Sequence, residues 1–214
     1  MDRPEGRAAA ALLAARDRFL LNIGWRTPRI DGRGMILHLS DTPSCLYGFL
    51  RRTIRVIRPT WIVHTGDLAD EIKLERYPHC RGDYLRRVAL LFRLLGESSA
   101  ECFLFLGNHD SAECLRELEG GKVRVCPGRA ETFELGGLRL RAGHDARDVL
   151  TEPAPVNLFG HDLHRRSGED GEGRLYLNGL EGVHLISAAS GTVTRLPYPW
   201  GTDDARLLRY RSRL

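Results

Sequence analysis

The sequence predicts an α/β domain built round a buried, partly parallel sheet, with a second half that is mainly β. Two observations carry this expectation. From Met35 to Gly120, short apolar runs of strand length alternate with amphipathic helical segments, the signature of crossover units. After Gly121 the texture changes to short strand-like pieces separated by glycine, proline and charged turns. The chain has 214 residues, 42% of them apolar, enough to bury the core of a single ordinary domain.

Taken in order, residues 6–22 are Ala/Leu-rich with spaced charges and read as a helix, followed by the joint "RTPRIDGRG". We therefore divide the chain into an N-terminal helical extension, 1–33, and a main domain, 34–214. In the main domain "MILHLS", "TWIVHTG" and "ECFLFLG" read as strands. Each is followed by a helix: "SCLYGFLRRTIRVIR", whose Leu46, Phe49, Leu50, Ile54 and Ile57 form a core-facing stripe, then "DYLRRVALLFRLLGE", then "SAECLRELEG". The later strands are "VRVC", "TFEL", "LRLRAG", "VNLFG", "RLYLNG" and "VHLIS", and "RRSGEDGEG" (165–173) reads as an exposed hairpin tip. The loop "DEIKLERYPHCRGDY" (70–84) is long for a connection, which suggests a lid or substrate wall.

Composition narrows the class. A net charge of +4 spread along the chain permits a polyanionic partner without announcing a nucleic-acid module. Of the 32 basic residues only Lys73 and Lys122 are lysine. Five cysteines (Cys45, Cys80, Cys102, Cys114, Cys126) with no C-x-x-C pair argue against a disulfide framework and a thiolate zinc site, so a reducing cytoplasm is the expected location. The apolar run Ala8 to Ala15 is too short for a membrane span and poorly flanked for a signal peptide, so no membrane partner is expected.

The polar residues that stand out fall directly after strands: Asp41, Asp67, Asn108 with His109, His144 and His161. In an open α/β sheet the carboxyl ends of the strands line the ligand crevice, so these side chains converge there. Carboxylates, an amide oxygen and imidazoles without thiolate suit Mn, Fe, Zn or Ni ions rather than a soft-metal or calcium cage.

The series "SD" at 40–41, "GD" at 66–67, "GNHD" at 107–110, a strand-end histidine at 144 and "GHDLH" at 160–164 resembles the calcineurin-like metallophosphoesterase family, in the family's order, from Met35 to about Leu196. The resemblance implies a β-sandwich core of mixed, partly parallel sheets flanked by helices. It implies two divalent ions, manganese among the candidates, and hydrolysis of a phosphate mono- or diester by a metal-bound hydroxide. Asp67 would bridge the ions, Asn108, His144 and His161 would complete the second site, Asp41 would ligate the first, and His109 would contact the transferring or departing phosphate oxygen. Two ions about 3.5–4 Å apart do need a shared anionic ligand between them.

The chain departs from the pattern twice. The family's first motif places a histidine two residues after the aspartate, where this chain has Pro43. Its last motif is Gly-His-x-His, whereas "GHDLH" carries one extra residue, so that His164 either returns to the first metal through a small bulge or points at solvent. His38 is a poor substitute, because strand alternation puts residues 37, 39 and 41 on one face and His38 on the other.

Each residue taken singly has a plainer reading. Asp41 would serve as an N-cap, Asp67 as a turn aspartate, and Ser111 as a cap behind "GNHD". His38, His64, His79 and His184 read as structural or surface residues. Asp70, Glu71, Asp110 and Asp162 read either as partners that orient ligand histidines or as solvated loop carboxylates. For function, a small phosphorylated substrate is the first expectation. A degenerate scaffold acting through protein binding is the alternative, motivated by Pro43 and "GHDLH". A nuclease ranks lower, since nucleic acid is suggested only by the basic balance and the end "ARLLRYRSRL".

Overall fold

The structure, a computed structural model, describes residues 27–207. The helix expected over 6–22 lies outside the described residues. Eleven strands form two sheets. The first holds β1 (Met35–Leu39), β2 (Trp61–His64), β3 (Glu101–Phe105), β4 (Val123–Cys126), β10 (Val183–Ser187) and β11 (Val193–Leu196) in the order β11-β10-β1-β2-β3-β4. The second holds β5 (Ala130–Leu135), β6 (Leu138–Gly143), β7 (Val156–Phe159), β8 (Gly168–Glu169) and β9 (Leu175–Asn178) in the order β5-β6-β7-β9-β8. β1 to β4 are mutually parallel, as are β6, β7 and β9, and the remaining pairs are antiparallel.

Strand alternation sorts the apolar side chains into two cores. From β1, Leu37 and Leu39 join the stripe of α1 (Tyr47–Ile57) and the apolar face of α2 (Arg81–Gly96), while Ile36 points between the sheets with Val63, Phe105, Leu140 and Leu158. Phe103 and Phe133 stack across that interface with centroids 5.1 Å apart. A smaller cluster, Ala146, Val149, Phe159 and Tyr176, seats α4 (Ala146–Leu150) on the outer face of the second sheet. The sandwich is thus covered by helices on both faces, and the crossovers put the carboxyl ends of β1, β2, β3, β6 and β7 at one edge. The short α3 (Ala112–Arg116) begins behind Ser111, whose side chain accepts from the Cys114 amide, and α5 (Thr202–Leu207) closes the described chain. β8 and β9 form the hairpin around 165–173.

His38 and His184 face each other on β1 and β10, stacked at 5.4 Å with their Nδ1 atoms 3.3 Å apart. His38 Nε2 lies 3.1 Å from the Thr65 hydroxyl. Both rings are buried, and His184 Nε2 has no partner among the described residues. Burial pushes His184 down to about 4, with the Arg195 charge adding to it, and burial holds His38 well below the ordinary imidazole value.

Two predictions follow from this packing. Leu50→Ala empties a fully buried site under the sheet and should cost about 2–5 kcal/mol of unfolding free energy, read from the urea midpoint. The histidine pair is uncharged when folded and takes up protons on unfolding. Its contribution should therefore be complete above the unfolded imidazole value of about 6.5 and decline as pH falls towards the folded values. Urea midpoints between neutral and mildly acidic pH should drop, and His184→Leu should make that drop shallower; an unchanged slope would contradict the assignment.

Candidate metal centre

The loops after β1 and β2 are joined backbone to backbone: the Asp41 amide donates to the Gly66 carbonyl and the Thr42 amide to the Asp67 carbonyl, both at 2.9 Å. Asp41 (φ 49°), Asp67 (φ 55°) and His161 (φ 56°) are three of the four non-glycine residues with left-handed backbone among the described residues. That conformation costs of order 1–3 kcal/mol per residue and persists only where the surroundings over-determine it. The motif glycines allow the close approach. A Cβ on Gly107 would overlap the Asp67 carboxylate and amide, and one on Gly160 would overlap the Ser40 hydroxyl and the Asp41 carboxylate.

The result is one cluster. Donor atoms of Asp41, Asp67, His144 and His161 all lie within 4.8 Å of one another. Asp41 and Asp67 are almost wholly buried, and His161 opens to solvent. The His161 amide donates to Asp41 Oδ2 at 3.2 Å, which ties the second sheet's loop to the first sheet's carboxylate.

The tautomer of His144 follows from its partners. Its Nδ1–H donates to the Thr65 carbonyl at 2.7 Å, leaving Nε2 as a bare lone pair. Nε2 faces Asn108 Oδ1 at 3.1 Å and Asp67 Oδ2 at 3.6 Å. The Asn108 amide is oriented by donation from Nδ2 to Glu75 Oε2 at 3.1 Å, so its oxygen is the atom turned to His144. Three atoms able to offer a lone pair thus converge: His144 Nε2, Asn108 Oδ1 and Asp67 Oδ2. A divalent cation resolves that arrangement, and the mixed oxygen and nitrogen donors suit a first-row ion. The residues present fit the metal that the motif series implies.

His109 stands beside this cluster. Its amide donates to Asp67 Oδ1 at 3.0 Å, and its ring lies 3.9 Å from Asp67 Oδ2. Burial, then the charge of Lys73, pushes the ring down to about 4, so it is uncharged at neutral pH. A second group of nearby donors joins Asp67, Asp70 and His109. Burial, then the Asp41 charge, raises Asp67 well above the ordinary carboxylate range, the behaviour of carboxylates gathered without a counter-ion.

His164 is exposed and outside both groups. Asp162 accepts from the His164 and Arg165 amides at 2.9 Å, and Asn178 donates to the carbonyls of Asp162 and Arg165, so the extra residue is taken up in a turn that holds His164 at the surface. His38 is engaged with Thr65 and His184. The alternation argument for its face holds only to Leu39, where β1 ends, because Asp41 lies beyond the strand in left-handed backbone. His64 is also committed: the Gly66 amide donates to its Nδ1 at 3.2 Å, and its Nε2 meets the Thr42 hydroxyl at 2.9 Å.

Several supporting residues were not legible as such. Asp110 is no solvated loop carboxylate. It accepts from the amides of Asp67 (2.7 Å), Leu68 (3.0 Å) and Gly107 (2.8 Å) and from the Tyr84 hydroxyl (2.7 Å). Arg206, from the basic C-terminal stretch, is buried: it donates to the carbonyls of Asp41 (2.8 Å), Ser40 (3.3 Å) and Leu180 (3.0 Å) and lies over the Tyr198 ring. Its position, one residue before the end of α5, carried no signal of that role. Lys73 pairs with Asp70 on the loop that runs past the cluster.

Comparison with known proteins bears on the fold and the family. No curated protein sequence matches the chain. A phosphoesterase from E. coli, Yfce, superposes with a TM-score of 0.50 at 15% identity over 74% of this chain and 96% of its own. Another solved structure superposes with a TM-score of 0.57 at 11% identity over 75% of this chain and 97% of its own. These likenesses show the fold. The model of the calcineurin-like phosphoesterase family matches residues 34–205, most of the chain, and the chain belongs to that family.

Proposed function

We propose that this chain hydrolyses a phosphate mono- or diester of a small molecule in a metal-dependent reaction at the cleft where Asp41, Asp67, Asn108, His144 and His161 meet. The observation that carries the reading is the convergence of three lone-pair atoms, His144 Nε2, Asn108 Oδ1 and Asp67 Oδ2, beside the buried Asp41 carboxylate. A divalent ion held there would lower the pKa of a water and offset charge on the phosphoryl group.

The chain's own residues do the rest. Asp67, fixed by the His109 amide, and Asp41, fixed by the His161 amide, present carboxylate oxygens at set positions, so little reorganisation accompanies substrate entry. His161, on the solvent side, marks the open face through which a phosphate enters. The neutral His109 ring stands at the rim of the cluster and donates an N–H to a phosphoryl or leaving-group oxygen. Glu75 accepts from the Asn108 side-chain amide, whose Nδ2 also lies 3.0 Å from His109 Nδ1.

Pro43 and the surface position of His164 support a second reading, a scaffold that binds metal and a protein partner without turnover. The nuclease reading loses part of its motive, since Arg206 of the basic terminal stretch is spent inside the fold. No helix among the described residues is long and apolar enough to cross a membrane.

The test is hydrolysis of a chromogenic phosphodiester and its monoester counterpart by chelator-stripped protein, with and without added Mn²⁺. We expect turnover with the ion and its loss on renewed chelation. Asp67→Asn should reduce turnover to background, and metal-dependent turnover that survives this change would overturn the proposal. His109→Ala should lower kcat by roughly 10²–10⁴ with metal content unchanged. Metal binding without turnover of either ester would favour the scaffold.

A further inference from the structure

The side of the cluster that faces Pro43 has lost both imidazoles expected of it, one to the proline and one to the turn that holds His164 at the surface. Its place is taken by the loop after β2. Asp70, almost wholly buried, has a carboxylate oxygen within 4.8 Å of ligand atoms on Asp67 and His109. Lys73 reaches back along the same loop so that its Nζ donates to Asp70 Oδ1, with only 20% of its side chain exposed.

Resting on the phosphoesterase reading above, we propose that the centre takes a single divalent ion, at Asp41, Asp67, Asn108, His144 and His161, and that the Lys73 ammonium supplies the second positive charge and contacts the substrate phosphate. The choice of residue fits the task. Thirty of the 32 basic residues are arginine, and the other lysine, Lys122, is an exposed residue bonded to the Ser99 carbonyl. At position 73 the chain keeps the compact ammonium, a point charge with three rotatable donors, where a planar guanidinium would need a wider slot. Charge agrees as well. Asp41, Asp67 and Asp70 bring three buried carboxylates together, and the Lys73 ammonium sets a positive charge beside them.

The ammonium donates one N–H to Asp70 and has two left for phosphoryl oxygens. Asp70 thereby becomes the residue that aims Lys73 rather than a metal ligand. The rival arrangement has Asp70 release Lys73 and hold a second ion with Asp41 and Asp67.

Metal stoichiometry and phosphate binding separate the two without recourse to activity. Full-length protein stripped by chelator is titrated calorimetrically with Mn²⁺, and the loaded protein is then titrated with inorganic phosphate. We expect one Mn²⁺ per chain in the native protein and in Lys73→Met, and phosphate affinity at least tenfold weaker in Lys73→Met and in Lys73→Gln. Two ions per chain, with the second lost in Asp70→Asn, would overturn the inference while leaving the phosphoesterase reading intact. One ion with unchanged phosphate affinity in the lysine variants would also overturn it. No bound Mn²⁺ at all would remove both readings together. The native stoichiometry decides between one ion and two even if a lysine variant fails to fold.

Discussion

The centre depends on the Asp110 carboxylate. One side chain accepts four hydrogen bonds, from the amides of Asp67, Leu68 and Gly107 and from the Tyr84 hydroxyl. It thereby locks the loop after β2, the loop after β3 and the start of α2 into one unit. A carboxylate that accepts several N–H donors resists movement of any of them, since each lost bond leaves a partly buried group unsatisfied. Asp67 gains its left-handed backbone and its fixed direction from this arrangement. The His109 amide on Asp67 Oδ1 adds a further tie between the same two loops.

Strain and charge are concentrated in the same few residues. Asp41, Asp67 and His161 hold unfavourable backbone conformations while two of them, with Asp70, bring buried negative charge together. The compensation comes from outside the cluster: Arg206 under Asp41, the Lys73 ammonium on Asp70, and the buried sandwich that carries all the loops. Natural folds place such costs where chemistry needs a preset geometry. Here they fall on the residues that a metal ion would hold.

Much of this architecture was legible in the chain, because periodicity and strand-end position are local signals. The runs "MILHLS", "WIVHTG" and "FLFLG" became β1, β2 and β3, and the polar residue after each arrived at one edge as crossover geometry requires. The elements that escaped, α4, β11 and α5, carry few apolar residues: β11 is VTRL with its two middle residues exposed, and α4 and α5 are ARDVL and TDDARL, so no apolar run or stripe marks them. The support of the site escaped for a different reason. Asp110, Tyr84, Thr65 and Arg206 act across loops that are distant in sequence, and nothing beside Asp110 in "GNHD" distinguishes a fourfold acceptor from a turn aspartate. His164 shows the limit of motif reading in the other direction: one inserted residue sufficed for Asp162 and Asn178 to capture the loop.

The residues proposed to hold the ion come from both sheets. Asp41, Asp67 and Asn108 follow strands of the first, and His144 and His161 follow strands of the second. An ion seated among them is therefore a rivet through the sandwich, and its binding free energy is drawn on by the contact between the layers as well as by the reaction. The apolar interface of Phe103, Phe105 and Phe133 closes the sheets along their length, but at the strand ends the layers meet mainly through polar groups such as the His161 amide and Asp41. That edge is where the two halves of the molecule would part first, so loss of the ion would be felt as a loosening of the layers before any strand came undone.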